Sequence, residues 1–158
     1  MPARIDLLED FRSIVAALDR DAVDYAVVGA LALAVHGFPR ATTDIDLLVQ
    51  PADLDRALGA IEPLGYRFRA EPMRFRSGIS VQRVTRVEGS EHLMVGFLLV
   101  GERLHAAWDS RTRIASEEGS IVVISREALV AMKALAGRPQ DLVDLQRLDE
   151  PEDGPSHG

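Results

Sequence analysis

The stretch Asp24–Gln50 constrains this chain more than any other part of it. A short β-prone run, Tyr25–Val28, ends at Gly29. A helix rich in Ala and Leu is expected from Ala30 to about His36, with Gly37 as its natural stop. After a loop, Thr43–Gln50 reads as a strand with apolar Ile45, Leu47, Leu48 and Val49. Residues two apart in a strand share a face. Asp44 and Asp46 therefore project together, with Ile45 on the opposite side. Neighbouring carboxylates repel and raise one another's pKa, a cost that a cation between them removes. Hard divalent Mg²⁺ takes oxygen ligands and keeps substrate phosphates in its shell. Gly29 leads into a helix N-terminus, where free N–H groups and the helix dipole favour an anion. A phosphate cradle beside a metal-binding acid pair points to phosphoryl or nucleotidyl transfer. A bare Asp-x-Asp is also what a solvent-facing strand edge carries; the Gly-to-helix turn, Arg40 and Thr42 beside it make the combination specific.

The rest of the chain reads as one domain. Residues 3–20 form an amphipathic pattern, with Leu7, Leu8, Phe11, Ile14, Val15 and Leu18 recurring at three and four. Pro51 opens a helix to about Leu64, ended by Gly65. Strands are expected at Tyr66–Ala70, Met73–Arg76, Ser80–Val87 and His92–Val100, then at Arg113–Ser116 and Ile121–Ile124. Ser125 is an N-cap for a helix through Ala136, Gly137 ends it, and Pro139 starts a last helix to about Leu148. The expected fold class is α/β (α+β): a single domain over residues 1–149 with a mixed β-sheet flanked by helices, and an acidic flexible tail at 150–158.

With 158 residues, 47% hydrophobic and 27% charged, the chain has the composition of a globular domain with a substantial core. Cysteine is absent, which excludes a disulfide framework, a cysteine-ligated zinc and a thiol nucleophile. The longest near-apolar run, Tyr25–Val35, is too short to span a membrane, and early Asp6, Glu9 and Asp10 do not suit a signal peptide. The expectation is a cytoplasmic protein with no membrane partner. The net charge is −7, of which Asp149, Glu150, Glu152 and Asp153 supply four. That balance says little against a nucleic-acid partner, because a local basic patch matters more than the sum.

The run Val28-Gly29-Ala30-Leu31-Ala32, then His36-Gly37, Arg40, Thr42 and Asp44-Ile45-Asp46, resembles the DNA polymerase β-like nucleotidyltransferase superfamily. Within it, the chain resembles small bacterial AbiEii-related proteins and the minimal nucleotidyltransferases of toxin–antitoxin systems. The closing block, with Ser125, Leu129, Lys133, Gly137-Arg138, Asp141 and Asp144, is also similar to the end of those proteins. The resemblance covers most of residues 22–148. It implies that the Gly29–Ala30 turn holds the β- and γ-phosphates of a nucleoside triphosphate and that Asp44 and Asp46 bind Mg²⁺, with a two-metal site as one option. It further implies that Arg40 and Thr42 belong to the nucleotide site, that Lys133 and Asp141 line it from the C-terminal helices, and that Asp44, Asp46 and Lys133 are catalytic. An acceptor hydroxyl, on an RNA 3′ end, a protein or a small molecule, would attack the α-phosphate and pyrophosphate would leave. A toxin–antitoxin or defence role, with a cognate toxin or antitoxin partner, is the setting that the resemblance implies.

Two departures stand out. The second small residue of the turn is Ala30, which keeps its backbone N–H. The superfamily's third carboxylate, on a later strand, is replaced by Gly96, and Glu91 lies on the other face by strand parity. Loss of a general base costs about 10²–10⁴ in rate. The alternative reading is therefore an impaired member that binds a nucleotide or a partner protein.

Other residues have plainer readings. Lys133 is the sole lysine and, by helical position, could be a solvated side chain. Asp141 could serve the helix dipole or pair with Arg138. Arg67, Arg69, Arg74, Arg76, Arg83 and Arg86, against Glu71 alone, give residues 67–86 a charge of +5. That stretch is either a charged strand edge or a phosphate track for an RNA acceptor such as a tRNA end. His36 is expected to cap or pack, and Trp108 to anchor a loop.

Overall fold

A computed structural model of the chain describes residues 5–39, 42–116 and 119–149. Arg40 and the tail at 150–158 lie outside the described residues. In chain order the elements are α1 (Leu7–Arg20), β1 (Ala26–Val28), α2 (Gly29–Val35), β2 (Asp44–Val49), α3 (Leu54–Ile61), β3 (Phe68–Arg69), β4 (Met73–Arg74), β5 (Ser80–Glu88), β6 (Glu91–Leu99), α4 (His105–Asp109), β7 (Thr112–Ser116), β8 (Gly119–Val123), α5 (Arg126–Ala136) and α6 (Pro139–Asp149).

The strands form one mixed sheet in the order β3-β5-β6-β2-β1-β8-β7, with β4 paired to β5. β2–β6 and β1–β8 run parallel, and the remaining pairs are antiparallel. The central strands are apolar on both faces, as a sheet covered on both sides requires. Val27, Leu47, Leu48, Val95 and Phe97 are all buried. On β5, Arg86 points to α1 and pairs with Asp10 there, so α1 covers that face. The opposite face carries Arg83 and Asp46 and looks towards α5.

Local signals set the helix ends. The Asp6 carboxylate accepts from the Glu9 N–H at 3.0 Å and the Ser125 hydroxyl from the Ala128 N–H at 3.0 Å, each satisfying an otherwise free donor in a first turn. Gly137 ends α5 in the left-handed conformation (φ 63°).

The structure shortens several expected elements. The helix expected from Pro51 to Leu64 is α3 alone, flanked by 3-10 turns at Pro51–Asp53 and Glu62–Leu64. Pro63 lacks the N–H that would continue the α-helical pattern. The strands expected at 66–70 and 73–76 shrink to β3 and β4, because Pro72 lies between them and the chain turns back at Gly78 (φ 89°). Trp108 sits on the short α4 rather than in a loop; its ring is buried, with the Arg111 guanidinium 3.7 Å from the ring centroid. No helix among the described residues is long and apolar enough to cross a membrane.

Candidate functional site

The register of the sheet assembles the site. β1 pairs Val28 with Asp46, β2 pairs Asp46 with Gly96, and β6 pairs Gly96 with Arg83. Val28, Asp46, Gly96 and Arg83 therefore form one row across four strands. Gly96 is the β6 position directly beside Asp46. Glu91 stands at the far end of β6, where its carboxylate accepts from the Ile5 N–H at 2.9 Å.

Gly96 does more than leave out an acid. A Cβ there would lie 2.8 Å from Asp46 Oδ1, and a Cβ on Gly29 would lie 2.7 Å from Asp46 Oδ2. The Asp46 carboxylate is thus seated between two glycines, one oxygen towards each. Gly29 is needed twice over, since its φ of 68° is in the left-handed region. This seat leaves the carboxylate only partly exposed among close neighbours, which is costly for charge. Burial first, and Asp44 second, push the Asp46 pKa up to about 6, against lowering by Arg138, Arg83 and Lys133. Asp44 is half-buried at the start of β2. Thr42 shapes that start: its hydroxyl accepts from the Asp44 N–H at 3.2 Å, an ST-type turn. Ala30 is buried at the beginning of α2.

A second cluster comes from the C-terminal helices. Lys133 is 4% exposed and reaches Asp144 at 3.0 Å and Asp141 at 3.5 Å. The solvated-lysine reading is thus overturned: the two helices meet so that α6 supplies its carboxylates. Arg138 forks onto Asp141, with Nε to Oδ2 at 2.7 Å and Nη2 to Oδ1 at 3.2 Å. Burial alone would push the Asp141 carboxyl up, but the Arg138 hydrogen bonds and charge hold it below the ordinary carboxylate range. Gln140 donates to Asp144 Oδ1 at 3.0 Å.

Both clusters open on one cleft of about 370 Å³. Gly29, Asp46, Lys133, Arg138 and Asp141 line it, as do Arg76 and Arg83. The structure therefore brings Gly29, Asp46, Lys133 and Asp141 together, with Asp44 next along β2. Arg83 was legible only as one arginine of six; its place on the site face follows from its odd-numbered spacing to Arg86. His36 takes the capping role: its Nε2 lies 2.8 Å from the Ile124 carbonyl oxygen.

Among the described residues no group of three or more His, Cys, Asp or Glu could hold a metal. Asp44 and Asp46 are a pair of oxygen donors without a third. Their chemistry still suits a hard divalent ion completed by phosphate oxygens.

Solved structures share the fold. A candidate nucleotidyltransferase from Thermotoga maritima is similar with a TM-score of 0.63 and 18% identity, over 89% of this chain and 90% of that one. The lincosamide antibiotic adenylyltransferase LnuA with lincomycin bound gives a TM-score of 0.64 at 14% identity, over 94% and 99%. ANT(2'')-Ia in complex with adenylyl-2''-tobramycin gives 0.59 at 19%, over 87% and 84%. A comparison with curated proteins finds no match. The family described as nucleotidyltransferase of unknown function (DUF6036) matches residues 5–149, and the chain belongs to it.

Proposed function

We propose that the protein is an Mg²⁺-dependent nucleotidyltransferase that moves a nucleoside monophosphate from a triphosphate to a hydroxyl acceptor. The observation that carries this reading is the Asp46 carboxylate, seated between Gly29 and Gly96 and facing a cleft lined by Lys133 and Arg138. Asp44 and Asp46 are the residues that would hold Mg²⁺. When bound, the ion supplies positive charge to the phosphate oxygens as negative charge builds there. Lys133 and Arg138 add fixed positive charge to the same cleft, and Gly29 lets the chain approach it closely. Asp141 and Asp144 hold Lys133 in place. The acceptor oxygen forms a bond to the α-phosphorus, the bond to pyrophosphate breaks, and the hydroxyl proton leaves to solvent.

A small-molecule acceptor suits this reading best. Two of the three similar structures carry lincomycin and adenylyl-2''-tobramycin. An RNA acceptor draws support from the arginines at 67–86, weakened by Arg86, which turns to Asp10 and Glu88 instead. The toxin–antitoxin or defence setting rests on sequence resemblance; growth arrest on expression, relieved by a neighbouring gene product, is its test.

Gly96 favours a second reading, a member that binds nucleotide without turning it over. Transfer of α-³²P from each nucleoside triphosphate to small hydroxyl compounds, total tRNA and cell protein separates the two. Label with wild type, reduced about 100-fold or more by Asp46→Ala, supports the enzyme. Nucleotide binding without label in any arm supports the second reading.

A further inference from the structure

The two ends of the cleft differ in chemistry. One end is Gly29 and Asp46. The other is built by the β4–β5 hairpin and α5: Phe75, Ile79, Val81 and Leu98 form an apolar wall and floor, and Met132 faces them from α5. Val81 and Leu98 are register partners two residues along the strands from the Arg83–Gly96 pair, on the same face. The apolar floor therefore begins immediately beside the row that holds Asp46.

Phosphoryl transfer places attacking and leaving oxygens roughly in line. With the triphosphate's leaving end at Gly29, the acceptor must approach from the opposite side of Asp46. That side is the Gly96–Arg83–Val81 side. A cleft of about 370 Å³ with a mostly apolar lining and a few polar groups suits a small organic molecule.

The charged groups at this end are cationic. Among the described residues Arg83 donates to the Met73 sulfur, at 3.4 Å, and its guanidinium carbon stands 5.9 Å from the Phe75 ring centroid. Among the described residues no carboxylate is in ion-pair contact with it, unlike Arg86, which pairs with Asp10, and Arg138, which pairs with Asp141. Arg76 lines the same end. A half-buried arginine beside apolar walls, with no carboxylate partner, is a receptor for an anion.

We propose that the hairpin end of the cleft is the acceptor site, and that it takes a small hydroxyl-bearing organic anion with an apolar carbon skeleton, read by Arg83. The assignment as acceptor site rests on the transferase reading above; the anion preference does not.

Three phenols with one skeleton and different terminal charge test it: 3-(4-hydroxyphenyl)propanoate, tyrosol and tyramine, which are anionic, neutral and cationic. Each is titrated calorimetrically into the full chain, alone and with Mg²⁺ and α,β-methylene-ATP. The propanoate is expected to bind at least tenfold more tightly than tyramine, with tyrosol between them, and to bind alongside the nucleotide analogue. Arg83→Gln should erase the preference and Arg83→Lys should keep most of it; melting curves check that both variants fold. Equal binding of the three, a preference for tyramine, no binding at all, or a preference unchanged by Arg83→Gln overturns the anion site. Mutual exclusion of propanoate and analogue overturns the acceptor assignment, since the apolar end then belongs to the nucleoside. Failure of the analogue to bind defeats the transferase reading, and the acceptor assignment with it; the titrations without nucleotide still decide the anion preference.

Discussion

Two carboxylate pairs, Asp141–Asp144 buried and Asp44–Asp46 half-buried, stand beside the cleft, and they are in opposite electrostatic states. Asp141 and Asp144 share Lys133 at 3.5 and 3.0 Å, and Arg138 adds a fork to Asp141. Asp46 and Asp44 have no ion pair of their own among the described residues; Arg138, Arg83 and Lys133 act on Asp46 only across space. The outcome is a carboxyl held below its ordinary range at Asp141 and one pushed up to about 6 at Asp46. The more deeply buried pair is the one with the lowered carboxyl, so burial alone does not set the difference; the cations within reach do. The pair that no side-chain cation contacts directly is the one on which the proposed Mg²⁺ site rests.

Removing the matching cation should make the first pair resemble the second. Lys133→Met leaves Asp141 and Asp144 buried without their ammonium. The expected cost is about 3–5 kcal/mol, the usual penalty for stranding a buried charge, read as a lower midpoint in urea unfolding. A loss below about 1 kcal/mol would mean that water or Arg138 already neutralises that pair, and the contrast would fail.

The next largest effect tests the seat of Asp46. Gly29→Ala forces a left-handed backbone on a residue with a Cβ and drives that Cβ to 2.7 Å from Asp46 Oδ2. About 1–3 kcal/mol of stability should be lost. Displacing the carboxylate should also weaken Mg²⁺ binding, measured by calorimetry. Gly96→Asp meets the same obstacle, since its Cβ would come within 2.8 Å of Asp46 Oδ1. Placing a carboxylate at position 96 therefore requires Asp46 to turn away from β6 first.

Asp46→Asn should act in the opposite direction. The folded carboxyl titrates near 6, above its ordinary value of 3.8. The folded state then binds more protons than the unfolded one between those values, so stability falls as pH rises from about 4 to 6 and stays lowered above. Asp46→Asn removes that penalty. Without metal it should raise stability by about 1–3 kcal/mol at pH 8 and by almost nothing at pH 4. Mg²⁺ should raise the melting temperature of the wild type and not of the variant. Equal stability of the two proteins at pH 8 without metal would mean that the Asp44–Asp46 pair is not strained.

The two regions were unequally legible from sequence. Strand alternation and one glycine turn are local signals, so the shared face of Asp44 and Asp46 and the start of α2 beside them follow from neighbouring residues. The seat of Asp46 is not local: it depends on β6 lying parallel to β2 in one register, and no pattern within either strand fixes that. Lys133 illustrates the same limit. On α5 alone it reads as a solvated side chain, and only the return of α6 buries it between Asp141 and Asp144. The arginines at 67–86 read as one basic stretch, whereas strand parity sends Arg83 to the cleft and Arg86 to Asp10.

Arg138→Gln is the smallest change and separates the two cations of the matched pair. The Arg138 side chain is 70% exposed although its partner Asp141 is buried, so solvent screens the contact. Its loss should cost no more than about 1 kcal/mol, well below the effect of Lys133→Met. The pH dependence has the sign opposite to that of Asp46. A lowered carboxyl stabilises the fold above its ordinary pKa and ceases to do so as pH falls through the folded value. The deficit of Arg138→Gln should therefore be full at pH 7 and shrink in acid, as unfolding midpoints between pH 7 and pH 3 would reveal. A deficit that instead persists undiminished at pH 3 would place the role of Arg138 in packing rather than charge, and would leave Lys133 alone as the cation that distinguishes the two pairs.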